Sequence, residues 1–276
     1  DVCSSDLFEF LNSSVGRKWL MAFTGLFLCL FVLVHMSGNL QLFKNDGGKA
    51  FNQYAVFMTT FPLIKVVSYV NYLLILVHAM NGFYLVNKNR NARPVKYAGA
   101  KTEASATWSS RNMGLLGTIL LVFIVIHMGH FWREFHFVPM EAKQYITKIG
   151  EIPTEGTPFD TVITIQAKDF KEPRHYTINQ QDMSGRMATY EVVELKDLYG
   201  EVAEAFKSPL YVAFYVLAMI ALSYHLAHGF QSAFQTFGIR SKTYAPIIKG
   251  LGNLLFAIII PALFAAMPLY FLFIKH

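Results

Sequence analysis

Charge is scarce in this chain of 276 residues: Asp, Glu, Lys and Arg make up 15% of it, against 54% hydrophobic residues. A soluble domain carries about 25% charged residues, so a water-facing coat for a protein of this size cannot be assembled. A soluble globular protein is excluded, and so are disorder and collagen-like structure, which need few large apolar side chains. Cysteine is almost missing as well. Cys3 lies in a polar stretch and Cys29 in an apolar run, with no CxxC or CxxCH anywhere. That removes a disulfide framework, a thiolate metal site and covalent c-type haem attachment. Acidic residues are absent from the apolar regions: Asp1, Asp6, Glu9, Asp46 and Glu103 stand apart, and the other 13 of the 18 fall between 133 and 207.

What is present is long apolar runs. A hydrocarbon core about 30 Å thick takes roughly 20 apolar residues of helix, and five such stretches occur, near 19–43, 62–86, 112–132, 209–237 and 251–274. The chain reads as an all-α membrane protein, a bundle of five transmembrane helices. The first run is far longer than a signal-peptide core of about 7–15 residues, so it reads as an anchor. The fifth contains Pro261 and Pro268 and is expected to kink, with a neighbouring helix re-satisfying the freed carbonyls.

Lys and Arg in the short loops set the orientation. Arg17 and Lys18, the six basic residues between Lys88 and Arg111, and Arg240, Lys242 and Lys249 all fall on one side if five helices alternate. The opposite short ends hold Lys44, Lys49, Lys65 and Lys275. The N-terminus is therefore expected in the cytoplasm. The net charge of +6 gains a topological explanation, and nucleic acid drops out as a partner. On this layout 1–18 is a cytoplasmic tail, 19–132 carries three spans, 133–207 is an extracytoplasmic loop, and 208–276 carries the last two spans. A structureless loop of that length would be unusual. A small cap is expected there, with strands near 160–165 and 188–195, an amphipathic helix at 197–207, and Ser208–Pro209 opening span four.

The spans lack carboxylates, which argues against a proton-coupled or cation-coupled transporter, but they hold histidines. His35, His78, His127, His130, His225 and His228 put at least one imidazole in each of the first four spans. A lone intramembrane histidine is more often a packing residue, yet six buried imidazoles without a task would each carry a desolvation penalty. Depth pairs them. His35 and His127 sit past the centres of the two outward-running spans, and His78 and His228 past the centres of the two inward-running ones. Two imidazoles facing each other across a bundle can take a haem iron on its two axial faces. With both positions filled, such an iron exchanges electrons and has no open site. Two haems at two levels are expected, about 12–16 Å apart at 1.5 Å per residue.

Small residues, Gly25, Gly38, Gly82, Gly114, Gly117 and Gly229, lie on the same spans; they suit a flat macrocycle and equally suit close helix packing. One spacing repeats, since Gly25 precedes His35 by ten positions as Gly117 precedes His127. Each of those helices then offers a ligand at one depth and a clearance at another.

These segments carry a resemblance: Ser14 to Gly25 (SVGRKWLMAFTG) continuing to His35-Met-Ser-Gly-Asn-Leu, Val77-His78-Ala, Gly117 to His127, and His228-Gly-Phe-Gln-Ser-Ala-Phe-Gln-Thr-Phe-Gly238. The chain resembles the single-chain, di-haem cytochrome b subunit of succinate dehydrogenase and fumarate reductase, in the five-helix form of many bacteria. The resemblance covers about half the chain and leaves out the first ten residues and the long loop. It implies two haems b, with His35 and His127 as ligands of the distal one and His78 and His228 of the cytoplasmic-side one. It favours His228 over its rival His225, because the His-Gly run starts there, and His127 over His130, which is nearer the headgroups.

The same resemblance implies a membrane anchor in the bacterial inner membrane. It would relay electrons between an iron–sulfur subunit, fed by an FAD flavoprotein acting on succinate or fumarate, and a quinone, in particular menaquinone. Some relatives have a carboxylate two residues before the span-four ligand; Leu226 stands there in this chain, against such a proton path. Arg111 and Lys65 are candidates for propionate partners or plain snorkelling residues, and Ser37 and Asn39 for a quinone pocket by position alone. Two other readings stay open: the cytochrome b subunit of a different respiratory dehydrogenase, such as a hydrogenase or formate dehydrogenase, and a haem-free transporter lined by histidines.

Overall fold

The computed structural model describes residues 9–92, 107–149, 161–181, 187–239 and 241–275. Among them are five helices long and apolar enough to cross a membrane: Ser14–Phe43, Pro62–Asn91, Met113–Phe137, Pro209–Thr236 and Tyr244–Phe273. These are spans one to five below, and the protein is a multi-pass membrane protein. Several spans outrun their apolar windows. Arg17 and Lys18 close the window of span one, and Lys249 that of span five, without ending either helix. A helix of 30 residues is about 45 Å long, so its ends reach beyond the hydrocarbon into the headgroup layer where such cations are at home. Span three likewise continues past 132, through a π-helical stretch at Met128–Trp132 into Arg133–Phe137.

The described residues divide into two compact units. The first comprises Asp1–Met36, Val66–Ile124 and Val212–Pro268. Its centre packs spans one, four and five: Cys29, Met36, Leu226, Phe230, Phe256 and Ile260 are buried together, with the Phe230 and Phe256 rings stacked 4.5 Å apart. Spans three and four meet through Leu116, Leu120 and Ala221. Spans one and two are tied by polar contacts, the Asn81 amide donating to the Arg17 carbonyl at 2.9 Å and the Arg17 guanidinium lying 3.7 Å from the centre of the Tyr84 ring.

Span five shows how its first proline is accommodated. Pro261 has no N–H for the carbonyl of Ala257, four residues back. Ser223 on span four donates its hydroxyl to that carbonyl, and the helix just before the proline is π-helical over Gly252–Ile259. A wide turn beside a helix-interior proline is a recognised route to a tolerated distortion. Gln231 on span four adds a 2.7 Å amide bond to Asn253.

The second unit comprises Ser37–Lys65, Val125–Tyr211 and Leu269–His276. It holds a four-stranded antiparallel sheet of order β2-β1-β4-β3, with β1 Ala142–Ile149, β2 Thr161–Ile165, β3 Arg174–Gln181 and β4 Met187–Lys196. Strands β2 and β4 match the expected pair; β1 and β3 complete the sheet. A helix at Leu198–Ala205 follows, its first turn capped by Asp197, which accepts from the Gly200 N–H at 3.0 Å. The Ser208 hydroxyl accepts from the Tyr211 N–H at 3.4 Å where span four begins, as a capping residue should.

A helix at Lys49–Thr60, outside the predicted elements, lies on this sheet. Asp46 starts it by accepting from the N–H groups of Gly48 and Ala50 at 3.0 and 2.9 Å. Gly48 has φ +90° and sits where a Cβ would run into the Tyr199 ring, so backbone and space both demand glycine. One face of the helix meets Phe135 and Met140 through Ala55, and Val56 packs against Tyr145, Val193 and Leu195 as well. Between helix and sheet Asn52 is fully buried. Its amide nitrogen donates to Tyr145 Oη at 3.0 Å and to Asp197 Oδ1 at 3.1 Å, and its oxygen accepts from the Tyr199 N–H at 2.8 Å. Lys143 pairs with the other Asp197 oxygen at 2.9 Å. Burial raises the Tyr145 hydroxyl well above the ordinary tyrosine range, despite the Asn52 hydrogen bond.

Candidate functional site

The first unit brings together histidines from two spans. The rings of His78 on span two and His225 on span four have centroids 6.3 Å apart and planes inclined at 68°. Span one supplies the wall. Thr24, fully buried, places its Oγ1 2.8 Å from His78 Nδ1, and Gly25 follows it. A Cβ on Gly25 would stand 3.3 Å from His78 Cε1, and a Cβ on Gly117 of span three 3.7 Å from His225 Cε1. The two glycines singled out by their repeated spacing therefore both border this histidine pair. His225 Nδ1 is buried and has no hydrogen-bond partner, so no bond of the kind Thr24 makes to His78 ties this ring.

The distance between the rings is informative. A first-row metal ion bonds an imidazole nitrogen at about 2.0–2.1 Å, and that nitrogen lies about 1.1 Å from its ring centre, so one ion between two imidazoles separates the centroids by about 6.3 Å. That distance places no condition on the inclination of the ring planes, here 68°. Among the described residues no group of three or more His, Cys, Asp or Glu side chains converges, so they form no all-protein cage for a bare ion. Two imidazoles bordered by glycines are a donor set that an iron already held by a porphyrin can use, and in that chemistry the residues present fit the group.

The remaining predicted ligands are placed as follows. His228 is half-buried, three residues beyond His225 on span four. His35, in the first unit, stacks on Phe31 at 5.3 Å and lies 5.7 Å from the Phe264 ring. His127, in the second unit, meets the Phe131 ring edge-on at 5.4 Å and is the last residue before the π-helical stretch of span three, a distortion common at functional sites. Its rival His130 is held by its own neighbours, with Nδ1 2.8 Å from Tyr211 Oη and its ring stacked on Phe131 at 4.7 Å.

Not every glycine of the histidine-bearing spans borders a histidine. A Cβ on Gly38 would overlap the Tyr54 ring, and one on Gly114 would press on Val86 at 2.8 Å; both are there for packing. Thr24 is the residue that sequence reasoning passed over. Its signal was available: a hydroxyl directly before the glycine of the repeated spacing.

No family model matches the chain, and neither a curated protein nor a solved structure matches it.

Proposed function

We propose that this chain is the membrane anchor and haem b electron-transfer subunit of a succinate:quinone oxidoreductase. The observation that carries the haem part is the pair His78 and His225, with ring centroids 6.3 Å apart and with Gly25 and Gly117 against the rings. The dehydrogenase part rests on the resemblance of spans one to four. A bound haem b would supply one-electron chemistry, taking up and releasing single electrons.

The chain's own residues do the rest. His78 and His225 would each offer one imidazole nitrogen to hold the haem iron, which would leave the group to electron exchange alone. His228 is the alternative partner for His78 that the His-Gly run favours. Gly25 and Gly117 keep side chains away from the two rings. His35 and His127 are the proposed ligands of a second haem, nearer the opposite face of the membrane. In this reading the N-terminus is cytoplasmic in the bacterial inner membrane. The basic short loops face an iron–sulfur subunit and its FAD flavoprotein, and menaquinone or another quinone exchanges electrons at the far end.

The test is spectroscopic. The purified chain is expected to show a reducible b-type absorption spectrum with about two haems per chain, and to co-purify with partners that reduce quinone in the presence of succinate. Haem near zero in well-folded protein removes the electron-transfer reading; haem without succinate activity moves the anchor to another dehydrogenase.

A further inference from the structure

We infer that Thr24 is a positioning residue that fixes the proton of His78 on Nδ1, and that the two imidazoles of this site are thereby made unequal ligands. The inference rests on the haem reading above for its consequence, though not for its geometry. Thr24 has a single hydroxyl hydrogen. Its Oγ1 lies 2.8 Å from the Leu20 carbonyl and 3.2 Å from that of Met21, and a carbonyl can only accept, so the hydrogen points back into span one. The remaining contact, 2.8 Å to His78 Nδ1, must then be an Nδ1–H donating to the threonine oxygen. Neutral imidazole carries one N–H, so the lone pair of His78 lies on Nε2, the nitrogen then free to bind iron.

No such bond serves the opposite ring, where His225 Nδ1 is buried without a partner. A ligating imidazole that donates its other N–H is held in orientation and made more basic. A more basic ligand favours the ferric state. Thr24 therefore holds the reduction potential of this haem lower than an unbonded pair of imidazoles would.

The experiment uses the full chain with its partner subunits and three proteins: the unaltered chain, Thr24→Val, which keeps the buried shape, and Thr24→Ser, which keeps the hydroxyl. Redox titration and low-temperature electron paramagnetic resonance read each haem separately. One haem in Thr24→Val is expected to rise in potential and shift its low-spin signal, with the other unmoved and Thr24→Ser close to the unaltered protein. Loss of that one haem in Thr24→Val with retention in Thr24→Ser has the same meaning. Unchanged potentials and signals in Thr24→Val, or equal losses in both variants, overturn the inference. Nitrogen-15 spectra of histidine-labelled full chain without haem separate this failure from that of the functional reading: His78 protonated on Nδ1 is expected, and protonation on Nε2 overturns the inference whether or not haem binds.

Discussion

The imidazole rings of His78 and His225 have centroids 6.3 Å apart and planes inclined at 68°, although the two residues stand 147 positions apart in the sequence. On the haem reading proposed above, this proximity favours His225 over His228 as the span-four ligand. His225→Ala is expected to remove one haem per chain and leave the other, as His78→Ala does, whereas His228→Ala retains both. Haem quantitation with separate redox titration of each centre checks it; loss from His228→Ala and retention in His225→Ala would return the assignment to the His-Gly run.

Ser223 bonds the one carbonyl of span five that Pro261 leaves without its helical partner. Ser223→Ala is expected to lower stability by about 1–3 kcal/mol, the penalty of an unsatisfied buried acceptor, while Ser223→Thr holds close to the unaltered protein. Thermal unfolding in detergent measures both. Equal stability of the alanine variant would mean that the π-helical turn satisfies the carbonyl on its own.

Asn52 uses all three of its hydrogen bonds between the Lys49–Thr60 helix and the sheet. Asn52→Leu leaves the Tyr145 hydroxyl, an Asp197 oxygen and the Tyr199 N–H short of partners, at about 2–4 kcal/mol in total. Faster hydrogen exchange at the Tyr199 amide and faster proteolysis within 133–207 are expected. Haem content should be unaffected, because none of these groups belongs to the histidine site.

Glu201 supplies a pH dependence. Burial raises its carboxyl above the ordinary range, Glu134, Asp197 and Glu141 add to that, and His130 opposes it. The folded state thus prefers the protonated acid. The stability this contributes is present in full below the ordinary glutamate range and is lost as pH climbs through the raised value. Glu201→Gln is therefore expected to melt higher than the unaltered chain at about pH 8 and to match it near pH 4, around the ordinary glutamate range. A constant difference at both values would assign the effect to packing.

How much of this was legible depended on the strength of each local signal. Five spans follow from hydrocarbon thickness and unbroken apolar runs, and their ends were misjudged only where a cation such as Lys249 interrupts the run without interrupting the helix. Strands β2 and β4 alternate well enough to be read. Strand β3, RHYTINQQ, is an edge strand with little to bury, and β1 mixes Lys143 and Lys148 with Tyr145, so neither shows a clear period. The Lys49–Thr60 helix is short, and its apolar face is defined by a sheet nearly a hundred residues away. At the histidine site, depth along a helix is countable from sequence but rotation is less secure. His225 and His228 differ by about 60° in facing at 100° per residue, too little for pattern alone to choose between them.

The bonds of Asn52 span 93 residues to Tyr145, 145 to Asp197 and 147 to Tyr199. A ribosome delivers Asn52 early and its partners late, so that side chain stays hydrated through the synthesis of two further spans and most of the sheet. The junction can close only once Tyr199 has been made. Non-local closures of that kind are slow steps in folding, which makes this small amide a marker for the stage at which the helix and the sheet come together.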